Sequence, residues 1–89
     1  MTLVADPTFT LLRDLVAVDS VNSSLVPGAR GEADVARRIA AELMAMGLAV
    51  DATEVAPGRP NVVGVLQGRA PGRSLMLCGH IDTVGVAGM

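Results

Sequence analysis

The sequence predicts an α/β fold of two helices followed by about three strands in a mixed sheet, and three observations carry this prediction. An apolar helical repeat runs from Glu32 to Met46, which makes this segment the clearest helix. A β-branched run follows at Asn61–Gln67. Leu75–Cys78 is apolar on both sides of the pleat, as expected for an interior strand that is covered by helices on each face.

The first helix is expected to begin at Asp6-Pro7 and to end near Val18. An Asp side chain can accept a hydrogen bond from a free backbone N–H, and Pro at the first helical position needs no N–H partner. The apolar stripe of this helix consists of Phe9, Leu12 and Val16, flanked by Leu11 and Leu15. Residues 19–31 collect Ser, Asn, Pro and Gly without periodicity, which predicts a long surface loop and a candidate edge of a site.

The second helix is expected over Glu32–Met46, with Gly47 ending it in a left-handed conformation. Its packing stripe is Val35, Ala36, Ile39, Leu43 and Met46. Outside the stripe, Asp34 and Arg38 have the i, i+4 spacing of an ion pair.

The sequence after Gly47 predicts strands that are separated by turns. Leu48–Val55 reads as a short, partly exposed strand, and the turn-rich Ala56–Pro60 leads into Asn61–Gln67. A loop over Gly68–Arg73 precedes Leu75–Cys78, which is predicted to be the most buried strand.

Composition excludes several classes of function. With 51% hydrophobic and 18% charged residues, the 89-residue chain is expected to fold as one domain or part of one rather than to stay disordered. A net charge of −2, scattered arginines and a single aromatic residue argue against nucleic-acid binding.

A membrane association is not expected either. The longest nearly apolar stretch, Ile39–Val50, is too short for a membrane span, and Met1–Pro7 does not resemble a signal peptide. Cys78 is the single cysteine and cannot form an internal disulfide. We therefore expect a cytoplasmic protein.

The residues best suited to catalysis or metal binding lie directly after the last predicted strand, in Gly79-His80-Ile81-Asp82-Thr83-Val84. Ligands of open α/β sheets bind just beyond the carboxyl ends of strands. In an extended chain His80 and Asp82 point to the same face, so the carboxylate can lie close to the imidazole. His80 is then a candidate metal ligand, and Asp82 is a candidate for the group that fixes the imidazole tautomer. The alternative is a hydrogen-bonded pair with a purely structural role.

A thiol mechanism is a further alternative, because Cys78, His80 and Asp82 alternate along one predicted strand. The predicted burial of Cys78 argues against it, since buried thiols are usually inert packing residues.

Several segments resemble, in the same order, those of the M20 family of metallopeptidases and deacylases. Residues 75–89 (LMLCGHIDTVGVAGM) are similar to the apolar strand and G-H-x-D-T-V signature that opens the metal centre of that family. Residues 11–24 (LLRDLVAVDSVNSS) resemble its first helix and following turn, and Gly31-Glu32 resembles the start of its second helix. Arg59-Pro60-Asn61-Val62-Val63-Gly64 resembles a strand entry of the family.

This resemblance implies that residues 1–89 are the N-terminal portion of a zinc-binding catalytic domain. It implies that His80 ligates one ion of a two-zinc, or sometimes cobalt, site and that Asp82 supports that imidazole as an active-site residue. The implied reaction is metal-dependent hydrolysis of the amide bond in an N-acyl amino acid or small peptide. The resemblance also implies a full-length enzyme that forms a homodimer through a separate lid domain.

The family's bridging Asp, Glu-Glu pair, further acidic ligand and distant His have no counterpart between Asp82 and Met89. We therefore expect this chain to carry only the first part of the metal site and to be inactive alone. The second hypothesis is a noncatalytic interaction or structural fragment, or a gene remnant.

Overall fold

The computed structural model describes residues 6–85, which form two helices and one antiparallel hairpin. Helix α1 spans Pro7–Ala17 and helix α2 spans Ala33–Ala45. Strand β1 spans Ala49–Ala56 and strand β2 spans Arg59–Val65. The predicted α/β class is confirmed.

Helix α1 begins as the sequence predicts, because the Asp6 side chain accepts a hydrogen bond from the backbone N–H of Thr8 at 2.8 Å. The apolar stripe of α1 is only partly buried. Leu11 and Leu15 are half-buried, whereas Leu12 and Val16 are 58% and 76% exposed. Among the described elements α1 lies against α2 alone, so only a narrow line of its surface is covered.

Helix α2 packs on the hairpin and supplies the buried apolar core of the described residues. The buried apolar side chains of the described residues are Val35, Ala36 and Ala40. Gly47 follows the helix with a φ of +92°, the left-handed conformation expected at a helix end. The predicted pair of Asp34 and Arg38 is wrong.

The ion pairs around α2 are formed with other partners. Asp34 pairs with Arg30, with an N–O distance of 2.6 Å, and with Arg37. Arg38 instead donates to Glu42 at 2.8 Å and to Asp14 of α1 at 3.2 Å. Arg38 therefore ties the two helices together.

Strands β1 and β2 pair from Ala49 opposite Val65 to Ala56 opposite Arg59, with an irregularity near Val55. Gly58 takes a φ of +72° in the connecting turn. Gly64 lets α2 approach β2 closely, since a Cβ there would lie 3.0 Å from Leu43 Cδ1 of α2 and 2.9 Å from Cδ2 of Leu48, which follows the helix.

The prediction of a third, buried strand at Leu75–Cys78 is wrong. Residues 66–82 contain no helix or strand, and Leu75, Met76 and Leu77 are 85–89% exposed. A strand needs a neighbour for its backbone hydrogen bonds and a face to cover its side chains. Within residues 6–85 neither lies against this run, so the sheet has two strands rather than three.

No helix within residues 6–85 is long and apolar enough to cross a membrane. Residues 1–5, part of the Met1–Pro7 segment that does not resemble a signal peptide, lie outside the described residues. Residues 86–89, the end of the motif that resembles the M20 signature, also lie outside them.

Candidate functional site

The loop after α1 and the segment Ile81–Thr83 meet in a short parallel bridge between Val21 and Thr83. The backbone N–H of Asn22 donates to the carbonyl of Thr83 at 2.9 Å, and that of Thr83 donates to the carbonyl of Ser20 at 3.0 Å. Two segments that are distant in sequence are thereby held side by side. The segment that contains His80 and Asp82 is held in place at this contact.

His80 and Asp82 are in direct contact, as their spacing predicts. His80 Nδ1 lies 3.0 Å from Asp82 Oδ1 and 3.0 Å from the Asp82 carbonyl oxygen. An ionised carboxylate and a carbonyl only accept hydrogen bonds, so neutral His80 donates through Nδ1–H. Its Nε2 then carries the free lone pair, on a side chain that is 85% exposed.

Asn22 holds the other oxygen of the same carboxylate. Its Nδ2 donates to Asp82 Oδ2 at 2.8 Å. Hydrogen bonds from Asn22 first, and from His80 second, hold the pKa of Asp82 below its usual range, since both stabilise the ionised form. Asp82 is therefore a carboxylate fixed at both oxygens.

The Asn22 side chain also shapes its own loop. Its Oδ1 accepts the backbone N–H of Ser24 at 2.8 Å and that of Leu25 at 3.3 Å. These bonds are typical of an Asx turn, which leaves the amide nitrogen free to point elsewhere. Residue-level reasoning did not single out Asn22, and the only available signal was its place in the family-like turn.

An ion pair between Arg59 and the buried Glu32 supports this loop. Arg59, at the start of β2, donates to both carboxylate oxygens of Glu32 at 3.0 and 2.8 Å and to Ser24 Oγ at 2.7 Å. Only 6% of the Glu32 side chain is exposed. The Arg59 hydrogen bonds hold the pKa of Glu32 below its ordinary value, against its own burial and the nearby charge of Asp82. This cluster joins the loop, α2 and the hairpin.

An open pocket of about 630 Å³ lies beside His80 and Asp82. Its walls come from the end of α1, the loop that follows, and α2, including Leu15, Val18, Val35 and Ile39. The pocket is mainly apolar on the helical side, with the imidazole and carboxylate at its edge.

The described residues do not form a complete metal site. Among residues 6–85 no three His, Cys, Asp or Glu side chains lie close enough to hold a metal ion. His80 Nε2 fits the role of one metal ligand, and Asp82 behind Nδ1 is the usual support of a metal-binding imidazole. A structural zinc ion normally takes four ligands, which is more than these two side chains provide.

Cys78 is exposed, contrary to its predicted burial. In the described part of the chain, His80 Nδ1 contacts Asp82 and no hydrogen bond joins the imidazole to Cys78. The geometry of a thiol nucleophile with a His base is therefore not formed.

The chain is similar to the acetylornithine deacetylase of Vibrio vulnificus (strain CMCP6). The two sequences are 35% identical over 79 residues, which cover 88% of this chain and 20% of that relative. The chain thus spans about one fifth of the relative's length. This partial similarity supports a relationship to an M20-like hydrolase family. No protein-family model and no solved structure matches the chain.

Proposed function

We propose that this chain is the N-terminal portion of the catalytic domain of an M20-type hydrolase, with His80 as a metal ligand and Asp82 as its supporting active-site carboxylate. The observation that carries the proposal is the contact between His80 Nδ1 and Asp82, which leaves Nε2 available. The partial similarity to an acetylornithine deacetylase supports the class of reaction.

The proposed reaction is hydrolysis of the amide bond in an N-acyl amino acid or small peptide. A bound zinc pair, or cobalt, would polarise the amide carbonyl and lower the pKa of the attacking water. Asp82 keeps a proton on His80 Nδ1 and raises the basicity of Nε2, while the contacts of Asp82 fix the orientation of the ring. The proposed full-length enzyme is a cytoplasmic homodimer that binds neither nucleic acid nor membrane.

The described residues contribute one ligand, so the proposed function places the remaining ligands and the general base outside residues 6–85. We accordingly expect no amide hydrolysis from the 89-residue chain alone. Its own measurable property is weak metal binding through His80.

Zinc or cobalt titration of the chain, followed by NMR, tests this property. His80 is the only histidine, so its ring signals are unambiguous. His80→Ala should abolish specific binding, and the matched control Cys78→Ser should bind like the wild type. Equal affinity in the wild type and His80→Ala would remove His80 from the site, and loss of binding in Cys78→Ser would favour a thiolate ligand.

A chimera tests the proposed reaction. Residues 6–85 replace the matched segment of the Vibrio vulnificus enzyme, and hydrolysis of N-acetylornithine is measured. The chimera and an Asn61→Ala control should be active, and His80→Ala should lose most activity. Activity that survives His80→Ala would contradict the proposed role.

A second candidate function, a noncatalytic interaction fragment, is favoured by one observation. Leu75, Met76 and Leu77 form an apolar run that is 85–89% exposed, a feature typical of surfaces that bind another protein segment. Size-exclusion chromatography and thermal melts with and without zinc distinguish the two. A cooperative, monomeric transition unaffected by zinc counts against the truncated-enzyme hypothesis.

A further inference from the structure

We propose that Asn22 is a positioning residue for His80: its side-chain amide fixes the Asp82 carboxylate so that His80 donates through Nδ1 and presents Nε2. The importance of Nε2 rests on the proposed function, whereas the positioning itself is a property of the metal-free chain.

The first argument is that Asp82 needs a second anchor. Its carboxylate can turn about two side-chain bonds, and its partner His80 is 85% exposed, so little packing holds the imidazole in place. One hydrogen bond between two such groups fixes neither of them. The bond from Asn22 Nδ2 to Oδ2, at 2.8 Å, holds the oxygen that faces away from the imidazole. Oδ1 is then directed at Nδ1.

The second argument is that Asn22 is itself held in place. Its Oδ1 is engaged by the backbone of Ser24 and Leu25, and its backbone N–H donates to Thr83. Ser24 is braced in turn by Arg59, which is paired with buried Glu32. A continuous set of contacts therefore runs from the core to the imidazole.

The third argument is chemical. Asn supplies an acceptor to the turn and a donor to the carboxylate from a single short side chain. Asp in its place would keep the acceptor and lose the donor, and would put a second negative charge against Asp82. Asn22→Asp thus separates support of the loop from positioning of the carboxylate.

The test uses the full chain with ¹⁵N-labelled histidine, without metal. Spectra are recorded in mildly alkaline solution, at about pH 8.5, so that the two neutral tautomers of the imidazole are compared. Ring ¹⁵N shifts report which nitrogen carries the proton. We expect protonated Nδ1 to dominate in the wild type and the matched control Asn61→Ala, and its population to fall severalfold in Asn22→Asp.

The backbone N–H of Ser24 reports on the loop in the same samples, since Asp at position 22 can still accept its hydrogen bond. A changed tautomer together with a protected Ser24 amide supports positioning. An unchanged His80 tautomer in Asn22→Asp overturns the proposal, and so does a change that occurs only together with loss of the Ser24 protection.

Zinc titration of Asn22→Ala extends the test to the metal. Loss of a group that is hydrogen-bonded directly to a metal ligand typically lowers metal affinity about 10-fold or more. Asn22 acts through Asp82, so we expect a decrease in zinc affinity that is smaller than this. If the wild type binds no zinc through His80 while the tautomer responds to Asn22→Asp, the proposed function fails and the positioning stands. If zinc binds through His80 and the tautomer does not respond, the positioning fails alone.

Discussion

Replacing Arg59 by Met is expected to release the loop that carries Asn22 while leaving α2 folded. Met keeps much of the length of the side chain but none of its hydrogen bonds. The carboxylate of Glu32 loses both donors, and Ser24 loses its contact with the hairpin. The affected region is the junction of loop, helix and strand rather than the whole chain.

The size of the effect follows from the burial of Glu32. With 6% of its side chain exposed, the carboxylate is largely cut off from water. An unsatisfied buried polar group costs about 1–3 kcal/mol, and a charged one lies towards the upper end. Because Arg59 is itself partly exposed, at 28%, water can enter where the guanidinium lay. We expect about 2 kcal/mol of local stability to be lost, roughly a 30-fold decrease in protection from amide exchange.

Hydrogen exchange measured by NMR provides the assay. The reporter is the backbone N–H of Gly31, which donates to the carbonyl of Val21 at 3.1 Å. Amides in the middle of α2 are the internal control and should be little changed. The double variant Glu32→Met/Arg59→Met removes both charges and should recover most of the protection, since replacing both partners by apolar groups is close to neutral. Unchanged Gly31 protection in Arg59→Met, or equal losses in the single and double variants, would refute the reasoning.

Three further predictions concern acid, packing and the exposed run. Because Arg59 lowers the pKa of Glu32 below its ordinary value near 4.5, the stability from this pair is present above about pH 4.5 and is lost as the pH falls through the lowered pKa. The protection factors of the loop amides, which compare the observed exchange rate with the intrinsic rate at the same pH, should therefore fall in acid, and less steeply in the double variant. Gly64→Ala should destabilise the packing of the helix on the hairpin by about 1 kcal/mol, because its Cβ would meet Leu43 of α2 and Leu48 and force both side chains to move; urea denaturation followed by circular dichroism measures this. Leu77→Ser should change stability by less than about 0.5 kcal/mol in the same assay, since Leu77 is 89% exposed, and a larger loss would mean that the apolar run is packed in solution.

Both helices and the hairpin could be predicted because their signals are local. An Asp-Pro start, an apolar repeat ended by Gly47, and β-branched residues after a turn each specify backbone geometry over a few residues. The contact of His80 with Asp82 was predictable for the same reason, since alternation along an extended chain places the two side chains together.

The prediction of a strand at Leu75–Cys78 fails because strand formation also depends on residues elsewhere in the chain. Apolar composition reports what a segment would gain by burial, but burial also needs a neighbouring strand and a covering face. Within residues 6–85 the run has neither a neighbouring strand nor a covering face. Its apolar composition is real, but the buried strand that this composition predicts is not formed.

The supporting contacts of the site were missed for a different reason. Asn22 and Asp82 are 60 residues apart, and Arg59 and Glu32 are 27 apart. Pairs at such separations leave no periodic trace in one sequence. Their discovery required the fold.

The parallel bridge between Val21 and Thr83 also has a consequence for the order in which we expect the chain to fold. The hairpin and both helices are built from local contacts, which form fast, whereas Thr83 returns to the loop only after a stretch of 17 residues, 66–82, without helix or strand. Closing a tether of this size costs roughly 2–3 kcal/mol of chain entropy, against the few hydrogen bonds that the bridge provides. We expect docking of His80 and Asp82 to be the last folding event and the first to reverse. A molecule with both helices folded can therefore lack the contact that positions His80 and Asp82. Exchange of the Thr83 amide reports on this contact, whereas the helical circular dichroism signal does not.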